Sequence, residues 1–295
     1  MTAPLPSAFA GAQRDITRAL EAALAASSGS AAAANNDRVL AAMRYTLLAP
    51  SKRVRAVLVQ LSAEVCGDAS RALAAAVAVE CIHAASLILD DLPSMDNAPL
   101  RRGLPSAHVA HGEAVAVLAA FGLLNLAYGH LARAYPPPVA AKITALYSDA
   151  VGLDGLIAGQ AEDVLATDAA IDFNTLERIH RRKTGVLFSA AAEAGAVTAG
   201  ANDAAVASLT SYAKNLGLAF QIVDDLLDVV GTQEETGKAV RADARKTTFV
   251  SFSGVDEARE LAAELCATAE RALEPFGARA NALRELARFV AGRRM

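Results

Sequence analysis

The stretch VAVECIHAASLILDDLPSMDNAPLRRG, residues 77–103, joins an apolar segment to a charged one. Its first half has the composition of a buried helix, and its second half carries three aspartates and two arginines. Carboxylates near a helix C-terminus lie at the unfavourable end of the helix dipole, and partial burial adds a desolvation cost. The stretch therefore predicts a buried helix whose acidic end faces something positive.

The composition of the whole chain favours helices. Of 295 residues, 54% are hydrophobic and only 5% aromatic, with no Trp, and Ala and Leu dominate the apolar set. Such a composition suits close-packed helices better than sheets. No alternating strand pattern and no shift in composition marks a second domain. We predict an all-α fold with one domain over residues 1–295, of which about the first ten are disordered.

The helical periodicity runs in long segments separated by short breakers. The predicted long helices cover residues 69–91, 106–133, 173–199, 203–230 and 256–273. Asp203 and Asp256 are expected to be N-caps, because a short carboxylate accepts hydrogen bonds from the free N–H groups of the first turn.

Charge and cysteine usage limit the possible partners and the compartment. The net charge of −4 argues against nucleic acid, which is usually bound by a basic face. Cys66, Cys81 and Cys266 are odd in number, widely spaced and set among apolar residues, which indicates free thiols in a reducing compartment. No signal peptide is recognisable, and no uncharged run reaches the roughly 18 residues of a membrane span. We expect a cytoplasmic protein without a membrane span.

A second acidic cluster lies in FQIVDDLLDVVG, residues 220–231. Asp224 and Asp228 are about 40° apart on the helix wheel and share a face, where like charges repel. Raised pKa values could neutralise one carboxyl of a close pair but not the carboxyls of two clusters. Mg²⁺ suits such groups, because it takes one or two carboxylates and completes its shell with water and phosphate.

In the first cluster, Pro93 interrupts the helix just after Asp91. We therefore expect Asp96 to be presented from a turn that folds back toward Asp90. One such cluster alone could be a solvated helix end followed by a turn. Two clusters, each accompanied by cations, favour a metal and polyphosphate site.

Cationic residues accompany both acidic clusters. Arg101 and Arg102 are adjacent, so their side chains diverge and could serve two different anions. His83 lies seven residues before Asp90 and about 20° from it on the wheel, which places it toward the same cavity, although an isolated histidine there is more often a core residue. Gln221 projects near the second cluster, or forms only an inter-helix hydrogen bond.

The sequence contains neither a P-loop nor a nucleophile motif. The predicted chemistry is electrostatic: metal and cations draw a diphosphate from an organic fragment inside an apolar pocket.

These residues resemble the trans-isoprenyl diphosphate synthases. The similarity runs over residues 49–248 and is strongest in VECIHAASLILDDLPSMDNAPLRRGLPSAH, IAGQAEDV, RRKTG and FQIVDDLLDVVG. The resemblance implies a helical bundle around a deep central cavity, usually in a homodimer, with Mg²⁺ as cofactor. It also implies the substrates, an allylic diphosphate that ionises and isopentenyl diphosphate that attacks the carbocation head-to-tail.

The resemblance carries roles to individual positions. The carboxylates that hold the metals are Asp90, Asp91, Asp96, Asp224, Asp225 and Asp228. The allylic substrate contacts are Arg101, Lys183, Thr184, Gln221 and Lys238. The isopentenyl diphosphate contacts are Lys52, Arg55, His83 and Arg102. The catalytic set comprises Asp90, Asp91, Asp224, Arg101, Lys183, Thr184 and Gln221.

The chain departs from the family pattern at four places. These are Pro50-Ser51 in place of Gly-Gly, Asn97-Ala98-Pro99 in place of an acid-rich stretch, Phe121 where many members have Asp, and Arg245 before Lys246 in place of Gly. The Phe121 position is closer to the carotenoid-type geranylgeranyl branch.

The resemblance also implies that side-chain bulk below the first cluster, at Ala85 and Ser86, sets product length. Bacterial farnesyl synthases usually carry an aromatic at the position of Ala85, so the small residue predicts a geranylgeranyl product. Ser86 is about 40° from Asp90 on the wheel, whereas Ala85 is about 140° away. A farnesyl product is the nearest alternative, with Ile82, Val79 or Phe121 closing the pocket lower down.

Two hypotheses from other classes were open at this point. A terpene cyclase of the same fold would keep the first metal motif but would need no isopentenyl diphosphate site and no second DDLLD. A non-catalytic partner subunit would be expected to lose metal ligands, and all six aspartates are retained.

Overall fold

Helices make up nearly all of the secondary structure in the computed structural model, which describes residues 5–27, 37–167, 169–230 and 247–292. The all-α prediction is confirmed. Lys238, Arg245 and Lys246 lie outside the described residues.

The α-helices within these ranges are α1 (Ala10–Ser27), α2 (Asp37–Leu47), α3 (Val54–Cys66), α4 (Leu73–Asp90), α5 (Ala107–His111), α6 (Glu113–Ala134), α7 (Pro137–Val151), α8 (Leu156–Leu165), α9 (Phe173–His180), α10 (Val186–Thr198), α11 (Asp203–Val230), α12 (Phe249–Ser253), α13 (Val255–Ala272) and α14 (Asn281–Ala291). The shorter elements are two 3₁₀ segments (Ser7–Phe9 and Glu274–Ala280), a π-helical turn (Arg181–Gly185) and a hairpin of β1 (Leu100–Arg101) and β2 (Leu104–Pro105).

Helices α4 and α10 organise the core. Helix α4 packs against α3, α6 and α10, and α10 also contacts α3, α7 and α11. Their sequences are rich in Ala, which lets helix axes approach closely. At Gly195 of α10 an added Cβ would lie 2.2 Å from the carbonyl oxygen of Val59 on α3, so this crossing requires glycine. The packing holds the C-terminal end of α4 and the N-terminal end of α10 in the same region.

The structure corrects several predicted boundaries. The helix predicted over residues 106–133 divides at Gly112, whose φ is +87°. The one predicted over residues 173–199 contains the π-helical turn. Asp203 is the first residue of α11, and Asn202 provides the capping oxygen, which accepts from the N–H of Ala205 at 2.9 Å.

Two further expectations differ from the structure, one about the start of a helix and one about the N-terminal residues. Gly254 precedes α13, so Asp256 lies in the first turn and is not the N-cap. Residues 1–10 were expected to be disordered; of these, residues 5–10 are described, and Leu5 and Phe9 are buried in the core. Their apolar side chains place residues 5–9 against the bundle.

Helices α4 and α6 are long and apolar enough, by length and composition, to cross a membrane. Each has an 18-residue window of mean hydropathy 1.7, of which 61% is buried in α4 and 39% in α6. Core helices of globular proteins pass the same test, and these two pack against each other. The observation is therefore weak evidence for a span.

The contact at Gly195 gives a stability prediction. Gly195→Ala should lower the free energy of unfolding by about 1–3 kcal/mol, the usual cost of overpacking a core. Gly11→Ala in α1 is the matched control, because its Cβ would meet no atom within 4 Å. The control should be neutral or stabilising by up to about 1 kcal/mol. Urea unfolding followed by circular dichroism measures both, and equal midpoints for the two variants would contradict the assigned crossing.

Candidate active site

The first acidic cluster is built by the end of α4 and the turn that follows. Asp90 is the last residue of α4, and the N–H of Asp96 donates to the carbonyl oxygen of Asp90 at 3.0 Å. The predicted fold-back of this turn is confirmed. The three carboxylates differ in environment, because Asp91 is buried, Asp90 is half-buried and Asp96 is exposed.

Arg101, on β1, neutralises the buried Asp91. Its Nε donates to both carboxylate oxygens, at 2.9 and 3.1 Å, and its Nη2 contacts Asp91 Oδ1 and lies 3.5 Å from Asp90 Oδ2. Burial opposes the charge of Arg101, but the hydrogen bonds and charge of Asp91 outweigh it and raise the pKa of Arg101. The pair is a charge-assisted bidentate contact, the strongest kind of side-chain hydrogen bond.

Lys183 links Asp90 to a carboxylate on α8. Its Nζ donates to Asp90 Oδ1 at 3.1 Å and to Asp163 Oδ2 at 2.8 Å. Gln160, also on α8, donates to Asp90 Oδ1 at 2.8 Å. Burial raises the pKa of Asp90, but the nearby charges of Lys183 and Arg101 and these hydrogen bonds bring it down to about 2. Asp90 is therefore ionised at neutral pH.

Gln160 and Asp163 were missed as site residues by the sequence analysis. Both lie in the segment IAGQAEDV, which the resemblance included without a role for either residue. Their spacing of three residues puts them on one face of α8. This spacing is the sequence pattern that could have identified them as site residues.

The π-helical turn carries Lys183 and Thr184 into the site. The backbone of this turn lies against α8. A Cβ added at Gly159 of α8 would lie 2.3 Å from the backbone nitrogen of Lys183. Thr184 Oγ1 donates to Gln221 Oε1 at 3.0 Å, and Gln221 Nε2 donates to Asp225 Oδ1 at 2.9 Å. Lys183 thus contacts the first acidic cluster, while its neighbour Thr184 is linked to the second through Gln221.

The second cluster shows the same division between buried and less buried acids. Asp225 is 3% exposed and accepts from the N–H of Phe249 at 3.0 Å, which ties α11 to α12. Asp224 and Asp228 are half-buried, in agreement with their predicted common face.

A group of basic side chains lies near both clusters. Arg55 Nη1 is 3.3 Å from His83 Nε2, and the Arg55 guanidinium carbon is 4.6 Å from the centroid of the Phe188 ring. Burial lowers the pKa of Arg55 to about 10, a shift opposed by the charges of Glu80 and Asp224. Arg55 Nε is buried and makes no hydrogen bond, so it has a donor to offer a ligand.

His83 and Arg102 complete this basic group. Burial, followed by the charges of Arg55 and Arg102, holds the pKa of His83 well below its usual value, so its imidazole is neutral at pH 7. Burial also lowers the pKa of Arg102 to about 10. The backbone of Arg102 is left-handed, with a φ of +57°. Lys52 packs differently, with Nζ 5.2 Å from the ring centroid of Phe289 on α14. Arg101 pairs with Asp90 and Asp91, whereas the charge of Glu80 acts on Arg102.

The donor chemistry of the acids fits Mg²⁺. Among the described residues, no three His, Cys, Asp or Glu side chains converge on one point. Carboxylate oxygens suit an ion that takes one or two carboxylates and keeps waters and phosphate in its shell. Of the six aspartates, Asp91 and Asp225 are the most buried, whereas Asp90, Asp224 and Asp228 are half-buried and Asp96 is exposed.

The side chains assigned to product length lie on two faces of α4. Ala85 is 1% exposed, whereas Ser86 is half-buried and donates to the carbonyl oxygen of His83 at 2.9 Å. Ile82 and Val79 are buried in the core. Phe121 is 65% exposed on α6, and its closing the pocket lower down stays a prediction.

The family model described as polyprenyl synthetase matches residues 36–274. A chloroplastic geranylgeranyl pyrophosphate synthase of Capsicum annuum is 43% identical over 260 residues, which cover 85% of this chain and 70% of the relative. The farnesyl diphosphate synthase of Escherichia coli is 41% identical over 266 residues, covering 86% and 89%.

Solved structures give the same result for the fold. An apo FPP/GFPP synthase from Zymomonas mobilis aligns with a TM-score of 0.83 at 36% identity and covers 95% of both chains. A Helicobacter pylori geranyltransferase complexed with magnesium and isoprenyl diphosphate aligns with a TM-score of 0.82 at 26% identity, covering 98% of this chain and 95% of that one. The chain belongs to the polyprenyl synthetase family, and it is a trans-prenyltransferase.

The contact between Lys183 and Asp163 gives a prediction about activity. Asp163→Asn should lower kcat/KM for the allylic diphosphate about ten- to hundredfold, because a hydrogen bond to a charged group contributes roughly 1.5–3 kcal/mol. Glu162→Gln, at the preceding position of α8, is the control. Glu162 pairs with Arg178 and Arg182 on a more exposed face. Steady-state kinetics that show equal losses for both variants would contradict the assigned contact.

Proposed function

We propose that the chain condenses isopentenyl diphosphate head-to-tail with allylic diphosphates. The observation that carries the proposal is that the cations fall into two groups by their contacts. Arg101 and Lys183 contact Asp90, and Arg55 lies with His83 and Arg102 in a separate group. Two groups of cations suit two diphosphates, as a condensation requires.

The first group acts on the allylic substrate. As its carbon–oxygen bond breaks, negative charge builds on the departing diphosphate, and fixed cations bind that charge more strongly in the transition state than in the ground state. Arg101 and Lys183 are half-buried and already ordered by aspartates. In our proposal Thr184 and Gln221 orient the same diphosphate, and Lys238, outside the described residues, also contacts it.

The second group binds isopentenyl diphosphate. Arg55 offers its buried, unpaired Nε donor, and Arg102 adds a second permanent charge. Neutral His83 contributes one hydrogen-bond donor without adding repulsion to the arginines. Lys52 is part of this proposed site through its place on the loop before α3.

Mg²⁺ is the proposed cofactor. When bound, it neutralises the allylic diphosphate and assists its departure. We assign Asp90, Asp96, Asp224 and Asp228 to ion binding. Asp91 and Asp225 support the site through Arg101, Gln221 and the N–H of Phe249.

Geranylgeranyl diphosphate is the proposed product. The small Ala85 and Ser86 on the last turns of α4 support this assignment, as does the Capsicum relative named a geranylgeranyl pyrophosphate synthase. Farnesyl diphosphate is the second candidate, because the Escherichia coli relative named for that product matches with similar identity.

The assembly and compartment complete the proposal. The exposed Leu118 and Phe121 lie three residues apart on α6 and form an apolar face suited to a homodimer. Cys66, Cys81 and Cys266 are free thiols, which supports the reducing environment of the cytoplasm.

Product analysis of the purified chain tests the function. With Mg²⁺, isopentenyl diphosphate and dimethylallyl, geranyl or farnesyl diphosphate in turn, we expect chain extension that stops at twenty carbons. Chelation of the metal should abolish turnover. Extension that stops at fifteen carbons would support the farnesyl alternative. Conversion of an allylic diphosphate alone to a cyclic hydrocarbon would indicate a terpene cyclase, and no turnover would support a partner subunit.

Ala85→Tyr tests the basis of product length. The ring would enter a position that is 1% exposed, five residues before Asp90, and should shorten the product to fifteen carbons. Ala85→Ser, which adds little volume, is the control and should leave the product unchanged. Chromatography of the dephosphorylated products measures the length, and an unchanged product in a folded, active Ala85→Tyr variant would refute the assignment.

A further inference from the structure

Glu80 is a buried carboxylate in the middle of α4, outside the sites assigned so far. Its side chain is 3% exposed, and the neighbouring residues of α4 are apolar. A buried charge must be paired and hydrogen-bonded, because its desolvation cost is otherwise prohibitive. The partners of Glu80 all belong to the segment that carries Lys52 and Arg55.

Glu80 holds this segment through Arg53. Arg53 Nη1 lies 3.2 Å from Glu80 Oε2, and the Arg53 side chain is 4% exposed. The other carboxylate oxygen, Oε1, accepts from the N–H of Ala56 in the first turn of α3 at 3.4 Å. Arg53 Nη2 donates to the carbonyl oxygen of Ala49 at 3.2 Å. The carboxylate thus connects α4 with Arg53 and with the start of α3, and Arg53 extends the link to Ala49 at the other end of the loop.

The loop needs such support because its backbone is unusual. Arg53 has a φ of +55°, a conformation that non-glycine residues rarely adopt and that persists only where surrounding contacts enforce it. Pro50 and Ser51 precede it in the chain. On the other side, Gln13 of α1 donates to the carbonyl oxygen of Lys52 at 2.9 Å. The loop is therefore fixed from inside by Glu80 and from outside by Gln13.

Glu80 also counters the crowding of positive charge in this region. Its charge opposes the lowering of pKa that burial imposes on Arg55 and on Arg102. Without this carboxylate, the arginines would repel one another more strongly. The hydrogen bonds of Glu80 and its charge thus both indicate that it stabilises this basic region.

We propose that Glu80 and Arg53 are positioning residues for isopentenyl diphosphate, holding the loop over residues 49–53 so that Lys52 and Arg55 meet its diphosphate. This inference rests on the proposed function, since it concerns the isopentenyl diphosphate site of that function. Gln13 supports the same loop from α1. The allylic site, built by Arg101 and Lys183, does not share these contacts.

Glu80→Gln tests the pair. Gln keeps the size of the side chain and its oxygen toward Ala56 but removes the charge. We expect KM for isopentenyl diphosphate to rise at least tenfold, with KM for the allylic diphosphate and kcat each within about threefold. Glu80→Asp, which retains the charge, should recover part of the loss. A rise of both KM values together, or a lower melting temperature with neither KM changed, would overturn the inference.

Glu270→Gln is the matched control. Its carboxylate also pairs with an arginine, Arg288, at 3.2 Å, and the hydrogen bonds between these two side chains do not involve the loop over residues 49–53. Both KM values should stay within twofold of the parent. A selective rise for isopentenyl diphosphate in this control would also overturn the inference.

Gln13→Ala decides the question if Glu80→Gln does not fold. Gln13 is half-buried, so its truncation removes the bond to Lys52 without leaving a buried charge. KM for isopentenyl diphosphate should rise about threefold at an unchanged melting temperature. No change in a folded variant would overturn the inference.

Calorimetric titration with isopentenyl diphosphate separates this inference from the proposed function. If the parent chain binds isopentenyl diphosphate but does not turn it over, the result contradicts only the proposed condensation. Weaker binding by Glu80→Gln would then still support Glu80 and Arg53 as positioning residues. A parent chain that turns over, with binding unaltered in Glu80→Gln, contradicts the pair alone.

Discussion

The contact between Asp90 and Lys183 is the interaction on which the rest of the site depends. It places a negative charge at the C-terminal end of an apolar helix, where neither the helix dipole nor the surroundings favour it. The π-helical turn supplies the compensating charge, and Asp163 and Gln160 hold Lys183 and Asp90 in place. Because Thr184 follows Lys183 directly, the same turn also reaches the second acidic cluster.

Each acidic cluster contains one buried aspartate and an adjacent, less buried aspartate. Asp91 and Asp225 bind protein donors, and in doing so they order Arg101, Gln221 and the start of α12. Asp90 and Asp224 retain partial exposure. A helix turn places adjacent residues about 100° apart, so one aspartate can pack inward while its neighbour faces the cavity. The paired aspartates of the sequence thus differ in burial: one is buried against protein donors, and its neighbour is half-buried.

Buried charge recurs in the basic group. Arg55, Arg102 and His83 are desolvated together, and their pKa values are lowered as a result. A pocket of this kind is prepared for a polyanion, since the ligand relieves the mutual repulsion of its residues. Glu80 supplies a carboxylate that contacts Arg53 in the loop before α3 and the N–H of Ala56 at the start of that helix.

The sequence by itself determined the helical class, the two acidic clusters and most of the cations around them. These follow from local patterns: an apolar helical period, Pro93 after Asp91, and the common face of Asp224 and Asp228. It did not reveal Glu80, Gln160 or Asp163, or the exposed position of Phe121. Their environments arise from contacts between elements far apart in the chain, such as α8 with the π-helical turn and α4 with the loop before α3. The tertiary structure alone decided which carboxylate is buried against which cation, because desolvation depends on packing and not on spacing along the chain.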